Sequence, residues 1–152
     1  MAELTGTYVP STSQWVRDQV EEYESSGGTR GNTLLETGIP VIIVTMRGAK
    51  SGSVRKIALM RVEHGGSYAL VASKGGAPDN PDWYHNLLAN PREVLVQDGP
   101  APFAVTVREV DGAEYDAWWA RSVTVFPQYD TYRGKTDRRI PVLVAEPAGQ
   151  SE

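Results

Sequence analysis

Residues 40–73 carry the pattern that most limits the fold: three short β-prone segments joined by two glycine-containing turns. The first segment, PVIIVTM, is short and rich in branched side chains, which is typical of a buried strand. Residues 55–63 follow the turn RGAKSGS, and residues 67–73 follow the turn HGG. Short turns join antiparallel neighbours, whereas parallel strands need long crossovers. The pattern predicts an antiparallel meander and excludes a doubly wound parallel sheet.

The remainder of the chain alternates helical and strand patterns. Predicted helices cover residues 11–24, 80–90 and 113–126, and further strands cover 92–97, 103–110 and 140–147. About six antiparallel strands are expected to curl into a closed or half-closed barrel covered by helices, an α+β fold that is mainly antiparallel β. Three regions are expected: a tail, acidic helix and linker (1–33), the main domain (34–147) and a C-terminal tail (148–152).

Composition excludes several classes of protein. The 152 residues contain no cysteine, so there is no disulfide framework, thiolate metal site or cysteine nucleophile, and two histidines argue against a multi-histidine metal centre. A net charge of −4 argues against nucleic-acid binding. The longest apolar run, 39–46, is too short for a membrane helix, and no signal peptide is evident, so we expect a cytoplasmic protein without stable membrane insertion.

Positive charge is concentrated in one part of this acidic chain. Between residues 47 and 74, Glu63 is the single acidic residue among six basic ones. In an antiparallel meander the 47–53 turn and the 74–79 loop lie at the same end, so Lys50, Arg55 and Lys74 should converge. Glycine amides in both turns and a helix start at Asn80–Pro81 would add anion-binding groups. The sequence predicts a site for an anionic group; the alternative is a solvated charged surface.

Aromatic residues form a second cluster, around Pro127. Phe126, Tyr129 and Tyr132 lie in a short irregular stretch, where they are placed to form the wall of a pocket. The alternative is a core edge with solvated tyrosine hydroxyls. Phosphate-loop, dinucleotide and serine-hydrolase motifs are all missing from the sequence, which disfavours those enzyme classes.

Three segments together resemble the deazaflavin-dependent nitroreductase family: RGAKSG with a following arginine, ASKGG followed by NPDWYHNLLANP, and VFPQYDTYRGKTDRRIPVLVAEP. The resemblance spans about residues 34–147 and implies a split β-barrel that binds coenzyme F420, a deazaflavin with an anionic phospholactyl and oligoglutamate tail. It also implies a reductase that transfers a hydride to an electron-poor acceptor: an enone, an unsaturated lactone, a quinone or a nitro compound. FMN-dependent oxidoreductases of the same fold and a non-catalytic deazaflavin carrier are the alternatives.

The resemblance also implies roles for individual residues. Tyr129 and Tyr132 match positions that face the substrate, and either one, or water, would donate a proton; Phe126 and Met60 complete the expected substrate pocket. Where the nitroreductase that names the family has tyrosines, this chain has Phe126 and Met60, so a less polar pocket is expected. The implied cofactor-binding residues are Lys50, Ser51, Arg55, Lys56, Ile57, Ala58, Leu59, Ser73, Lys74, Gly75, Gly76, Ala77, Trp83 and Asn86.

The expected partner is a small-molecule hydride acceptor, and the chain is expected to be a monomer or a homodimer. The helix predicted over 11–24 is acidic, which disfavours contact with anionic lipid.

Overall fold

A computed structural model describes residues 3–34 and 37–148 of the chain. In chain order the elements are helix α1 (Gln14–Ser25), strands β1 (Val41–Arg47), β2 (Val54–Met60), β3 (Glu63–His64) and β4 (Ser67–Val71), a single 3₁₀ turn (Lys74–Gly76), helix α2 (Asp82–Ala89), strands β5 (Val94–Gln97) and β6 (Pro102–Glu109), helices α3 (Gly112–Val125) and α4 (Gln128–Arg133), and strand β7 (Val142–Pro147).

The strands form one antiparallel sheet in the order β2-β1-β5-β6-β7-β4-β3. Strands β2 and β3 lie at opposite ends of this order although only two residues separate them in the chain. The sheet must therefore curl until its two ends approach each other. This confirms the predicted barrel-like α+β fold with covering helices.

The prediction of one continuous strand over 55–63 is wrong. The Arg61 amide donates to the Pro40 carbonyl beside β1 at 2.9 Å, whereas the Val62 carbonyl accepts from the Ala69 amide beside β4 at 2.9 Å. The first part of the segment therefore pairs with β1 and the last part with β4, so this segment links the two ends of the sheet order. The Arg61 side chain holds the bend through Asp98 at 2.8 Å.

The three-strand meander is also wrong in part. Strands β1 and β2 pair along their whole length, but β4 pairs with β3 and β7. The predicted third strand, β4, thus lies near the opposite end of the sheet order from β1 and β2, and it meets their segment through β3. Local turns define which strands are antiparallel, whereas the curl of the whole sheet defines which strands are neighbours.

Successive side chains of a strand point to opposite faces of the sheet, so the buried apolar side chains form three separate clusters. One cluster fills the barrel and includes Ile42, Val44 and Leu70, with Leu87 of α2 closing it. A second lies between the outer face of β4 and β7 and helices α3 and α4. In the third, Val20 and Tyr23 of α1 pack on the outer face of β1, so the acidic helix is part of the packed structure.

Two local predictions need correction at α2. The helix begins at Asp82, and neither Asn80 nor Pro81 provides a side-chain cap. The Asn80 side chain instead accepts a hydrogen bond from Arg138 at 2.7 Å. Elsewhere in the chain, helix α4 forms directly after Pro127.

None of the helices in the described part of the chain is long and apolar enough to cross a membrane.

Adjacent leucines on α2 provide a test of the packing. Leu87 is 0% exposed and Leu88 is 40% exposed. Leu87→Ala should lower the free energy of unfolding by about 2–5 kcal/mol, because it leaves a cavity at the end of the barrel. Leu88→Ala, the matched control, should change it by less than about 0.5 kcal/mol. Urea unfolding of both variants measures the difference, and equal effects would contradict the placement of α2.

Candidate functional site

One edge of β2 is largely unpaired. Along its other edge it bonds to β1, and near its start the Val54 amide donates to the Thr7 carbonyl at 2.8 Å while the Val54 carbonyl accepts from Val9 at 2.9 Å. In an antiparallel strand, successive residues point their backbone groups to opposite edges. Lys56 and Ala58 therefore turn their amides and carbonyls to the same edge as Val54, where no described strand pairs with them.

The chain that follows β4 borders this free edge. The register that joins Val62 to Ala69 would, if continued, place Ser73 opposite Ala58, but β2 and β4 diverge beyond the bend. We call the opening between residues 56–60 and residues 72–77 the gap. It brings two of the sequence-predicted cofactor segments, 56–59 and 73–77, to its two sides.

Residues 73–76 form a tightly wound loop. Ser73 has a right-handed conformation (φ −74°, ψ −38°), and Lys74, Gly75 and Gly76 follow with φ of 47°, 64° and 83°. A right-handed residue followed by left-handed ones turns successive amides towards one point, which is a common anion-binding arrangement. The amides of Ser73, Lys74 and Gly75 donate to no other described residue.

Gly76 makes this loop dependent on α4. A β-carbon at Gly76 would lie 2.9 Å from the carbonyl oxygen of Tyr132, and the residue also has positive φ. Only glycine satisfies both conditions without a shift of the backbone. The 73–76 loop and helix α4 are therefore in direct contact.

Arg138 holds the same loop in place and was missed by the sequence analysis. Its guanidinium donates to the carbonyls of Ala72 (3.2 Å), Ser73 (2.8 Å) and Ala77 (2.8 Å) and to the Asn80 side chain. The residue lies some 60 positions away in sequence, so no local pattern could have linked it to the loop. The planar fork of arginine suits several acceptors at once.

A cleft of about 310 Å³ lies beside the β1–β2 turn and α2. We call it the cation cleft; its lining residues are Gly48, Ala49, Lys50, Ser51, Arg55, Asp82, His85 and Asn86. In the chain, Lys56 at the free edge of β2 directly follows Arg55 of the cleft, and α2 begins six residues after Gly76 of the loop. The side-chain oxygen of Asn86 accepts from the Ala49 amide at 2.9 Å, so Asn86 fixes the turn that carries Lys50.

The structure brings together part of the predicted cationic cluster. Lys50 and Arg55 share the cation cleft, but Lys74 does not line it and instead pairs with Asp79 at 3.3 Å. That hydrogen bond from Lys74 lowers the pKa of the Asp79 carboxyl. Lys56 points to α1, where it pairs with Glu24 at 2.6 Å.

The aromatic cluster is more buried than a pocket wall. Phe126 and Tyr129 are 7% and 5% exposed, and their rings lie 5.0 Å apart. Burial raises the pKa of Tyr129, with a smaller contribution from Tyr132. The Tyr129 hydroxyl makes no hydrogen bond to any described residue, whereas that of Tyr132 donates to Gln128 at 3.1 Å.

The remaining predicted residues lie on either face of β2 or at the edge of the core. Ile57, Leu59 and Trp83 pack against the cluster inside the barrel, while Ala58 and Met60 pack against the α1 side. The described residues contain no group of three potential metal ligands.

The role of Arg138 can be tested in the protein alone. Arg138→Lys keeps the charge but loses the fork, so the Gly76 and Ala77 amides should exchange with deuterium roughly tenfold to a hundredfold faster. Arg139→Lys is the matched control, because Arg139 donates a single bond, to the Val110 carbonyl. Hydrogen exchange monitored by NMR provides the measurement, and unchanged protection in Arg138→Lys would contradict the proposed role.

Comparisons with known proteins identify the family of this chain. The family described as F420H(2)-dependent quinone reductase matches residues 15–147. An F420H(2)-dependent quinone reductase of Mycobacterium tuberculosis is 38% identical over 108 residues, which cover 69% of this chain and 72% of that protein.

Solved structures give the same result. An F420-H2 dependent reductase is 50% identical, with a TM-score of 0.66 over 70% of this chain and 94% of that one. A structure described as a domain-swapped dimer is 47% identical, with a TM-score of 0.69 over 90% of this chain and 100% of that one. This chain belongs to the F420H(2)-dependent quinone reductase family.

Proposed function

We propose that this protein uses reduced coenzyme F420 to reduce quinones and related electron-poor, apolar acceptors. Membership of the family makes it an F420-dependent oxidoreductase. The observations that carry the residue assignments are the free edge of β2, which begins next to Arg55 of the cation cleft, and the unbonded amides of the 73–75 loop, which lies between β4 and α2 in the chain. Each of the three suits a different part of this coenzyme.

The tail of the coenzyme fits the cation cleft and the loop. Lys50 and Arg55 provide positive charge without a carboxylate bonded to either side chain among the described residues. The three convergent amides of residues 73–75 suit a phosphate. Multiple negative charges along the tail would be neutralised along this path, which favours binding that depends on salt.

The ring of the coenzyme fits the free edge of β2. The amides and carbonyls of Lys56 and Ala58 offer alternating donors and acceptors, which match the polar edge of a deazaflavin. When bound, the coenzyme supplies the hydride, and the protein orients it. Backbone contacts hold a flat ring without requiring a particular side chain.

Proton donation is assigned to Tyr129. Because burial raises its pKa, the phenol stays protonated through the neutral range. Its hydroxyl has no described partner, whereas that of Tyr132 is bonded to Gln128. Tyr129 is thus the better-placed donor of the two tyrosines.

The apolar character of Phe126 and Met60 supports a quinone rather than a nitro compound as the acceptor. Both side chains lack the hydroxyl donors that would bind a nitro group. Relatives named as quinone reductases agree with this choice.

We further propose a homodimer in the cytoplasm. The related structure described as a domain-swapped dimer supports self-association, and a chain without cysteine suits a reducing compartment. Light scattering after gel filtration would measure the mass in solution.

A coenzyme titration tests the proposal as a whole. Oxidised F420, FMN and NADPH are added separately to the protein, and binding is followed by fluorescence. Selective binding of F420, followed by its oxidation with menadione, is expected. Preferential binding of FMN would favour the alternative oxidoreductase, and binding of F420 without turnover would favour a carrier.

Removal of the two cleft cations should weaken binding of the coenzyme. Lys50→Ala with Arg55→Ala should raise the Kd by about tenfold to thirtyfold, because two charge pairs are lost. The Kd of the variant should also change less than that of the wild type when the salt concentration is raised from about 0.05 to 0.5 M. Arg30→Ala with Arg121→Ala removes the same charge elsewhere and is the control. Equal Kd values in all three proteins would contradict the proposed tail site.

Replacement of Tyr129 should slow the reaction without affecting coenzyme binding. Tyr129→Phe should lower kcat by about a hundredfold or more, the usual range for a lost general acid. The wild-type kcat should stay level between pH 6 and pH 9, since the raised pKa keeps the phenol protonated there. Tyr132→Phe is the matched variant, and a loss confined to it would assign the proton to Tyr132.

A further inference from the structure

His85 lies in the cation cleft although no sequence pattern assigns it a function. It is on the same turn of α2 as Asp82 and Asn86, and all three line the cleft with Lys50 and Arg55. The side chain is exposed, and its ring contacts the Tyr84 ring at 5.2 Å. It forms no ion pair with any described residue, so both ring nitrogens are available to a ligand.

We propose that His85 is an additional binding residue for the anionic tail of the coenzyme, and that its protonation strengthens coenzyme binding as the pH falls below neutral. This inference rests on the proposed function and concerns the same site. A neutral imidazole can accept or donate one hydrogen bond, whereas an imidazolium donates two and adds a charge.

The charges that face His85 nearly cancel, so protonation of His85 changes the net charge of the cleft substantially. The β1–β2 turn contributes Lys50, β2 contributes Arg55, and α2 contributes Asp82. The carboxylate of Asp82 offsets one of the two cations, which leaves a single net positive charge in the cleft. Protonation of His85 doubles that charge, so it affects the attraction of a tail with several carboxylates.

The sign of the pH effect follows from linkage. A bound anion favours the charged imidazolium and raises the pKa of His85, so binding of the coenzyme takes up protons. Affinity should therefore rise as the pH is lowered through the ordinary range of histidine, near 6.5. A single exposed charge pair predicts an effect of about threefold in Kd.

The test measures the Kd of oxidised F420 at about pH 5.5 and pH 8, at low salt, for the full-length wild type and three variants. The ratio of the Kd at pH 8 to the Kd at pH 5.5 should be about threefold smaller for His85→Gln than for the wild type. His85→Arg should bind about threefold more tightly than wild type at pH 8 and equally at pH 5.5. His64→Gln, which removes the other histidine of the chain, should behave like wild type. Protonation of the ligand itself is common to all four proteins and cancels in the comparison.

Two further measurements locate the effect. A deazaflavin without phosphate or glutamates should show no difference between wild type and His85→Gln, because it has no tail to contact the cleft. The pKa of His85, followed by NMR, should rise when F420 binds. Identical pH dependence in wild type and His85→Gln, or an unchanged pKa of His85, would overturn the inference while leaving F420 binding intact. Failure of F420 to bind any of the proteins would instead refute the proposed function.

Discussion

The candidate site depends on the segment of residues 54–64, whose first half pairs with β1 and whose second half pairs with β4. Arg61 bonds towards β1 and Val62 bonds towards β4, so the chain closes the barrel at one end and leaves it open at the other. A barrel that closed fully would pair the backbone of Lys56 and Ala58 with a neighbouring strand. An open barrel leaves these groups available, at the cost of an unpaired edge that must be satisfied by water or a ligand. The free edge of β2 is thus the part of the sheet whose backbone groups are available to a ligand.

Several interactions maintain the gap in this form. Asp98 accepts from both Arg61 (2.8 Å) and Tyr68 (2.6 Å), which ties the bend to the barrel. On the opposite side, the Arg138 guanidinium fixes the loop by donating to three backbone carbonyls and to the side-chain oxygen of Asn80. Both sides are therefore held by arginines whose bonds link residues distant in sequence. The two sides of the gap are thus fixed without a ligand, which would reduce the entropic cost of binding in the proposed site.

The sequence was sufficient to predict most of the strands, the antiparallel class and the family. These features depend on local patterns: the branched residues of β1, the glycine turns and the three family segments. Sheet order could not be predicted, because it depends on the curl of all the strands and on the bend at Arg61. The convergence of Lys50 with Arg55 followed from the β1–β2 turn, but Lys74 turned to a nearby carboxylate, Asp79. Arg138 and His85 become evident only when distant segments are packed together.

The contact between Gly76 and α4 limits how such an enzyme can diversify. The Tyr132 carbonyl rests against a position that tolerates no side chain, so in the proposed site a shift of this helix to admit bulkier acceptors would also displace the loop proposed to bind the coenzyme. Changes in acceptor preference are therefore more easily accommodated by side-chain exchange at positions such as Phe126 and Met60 than by movement of the helix. In the proposed site, the absence of a β-carbon at Gly76 would thereby couple the range of acceptors to the affinity for the coenzyme.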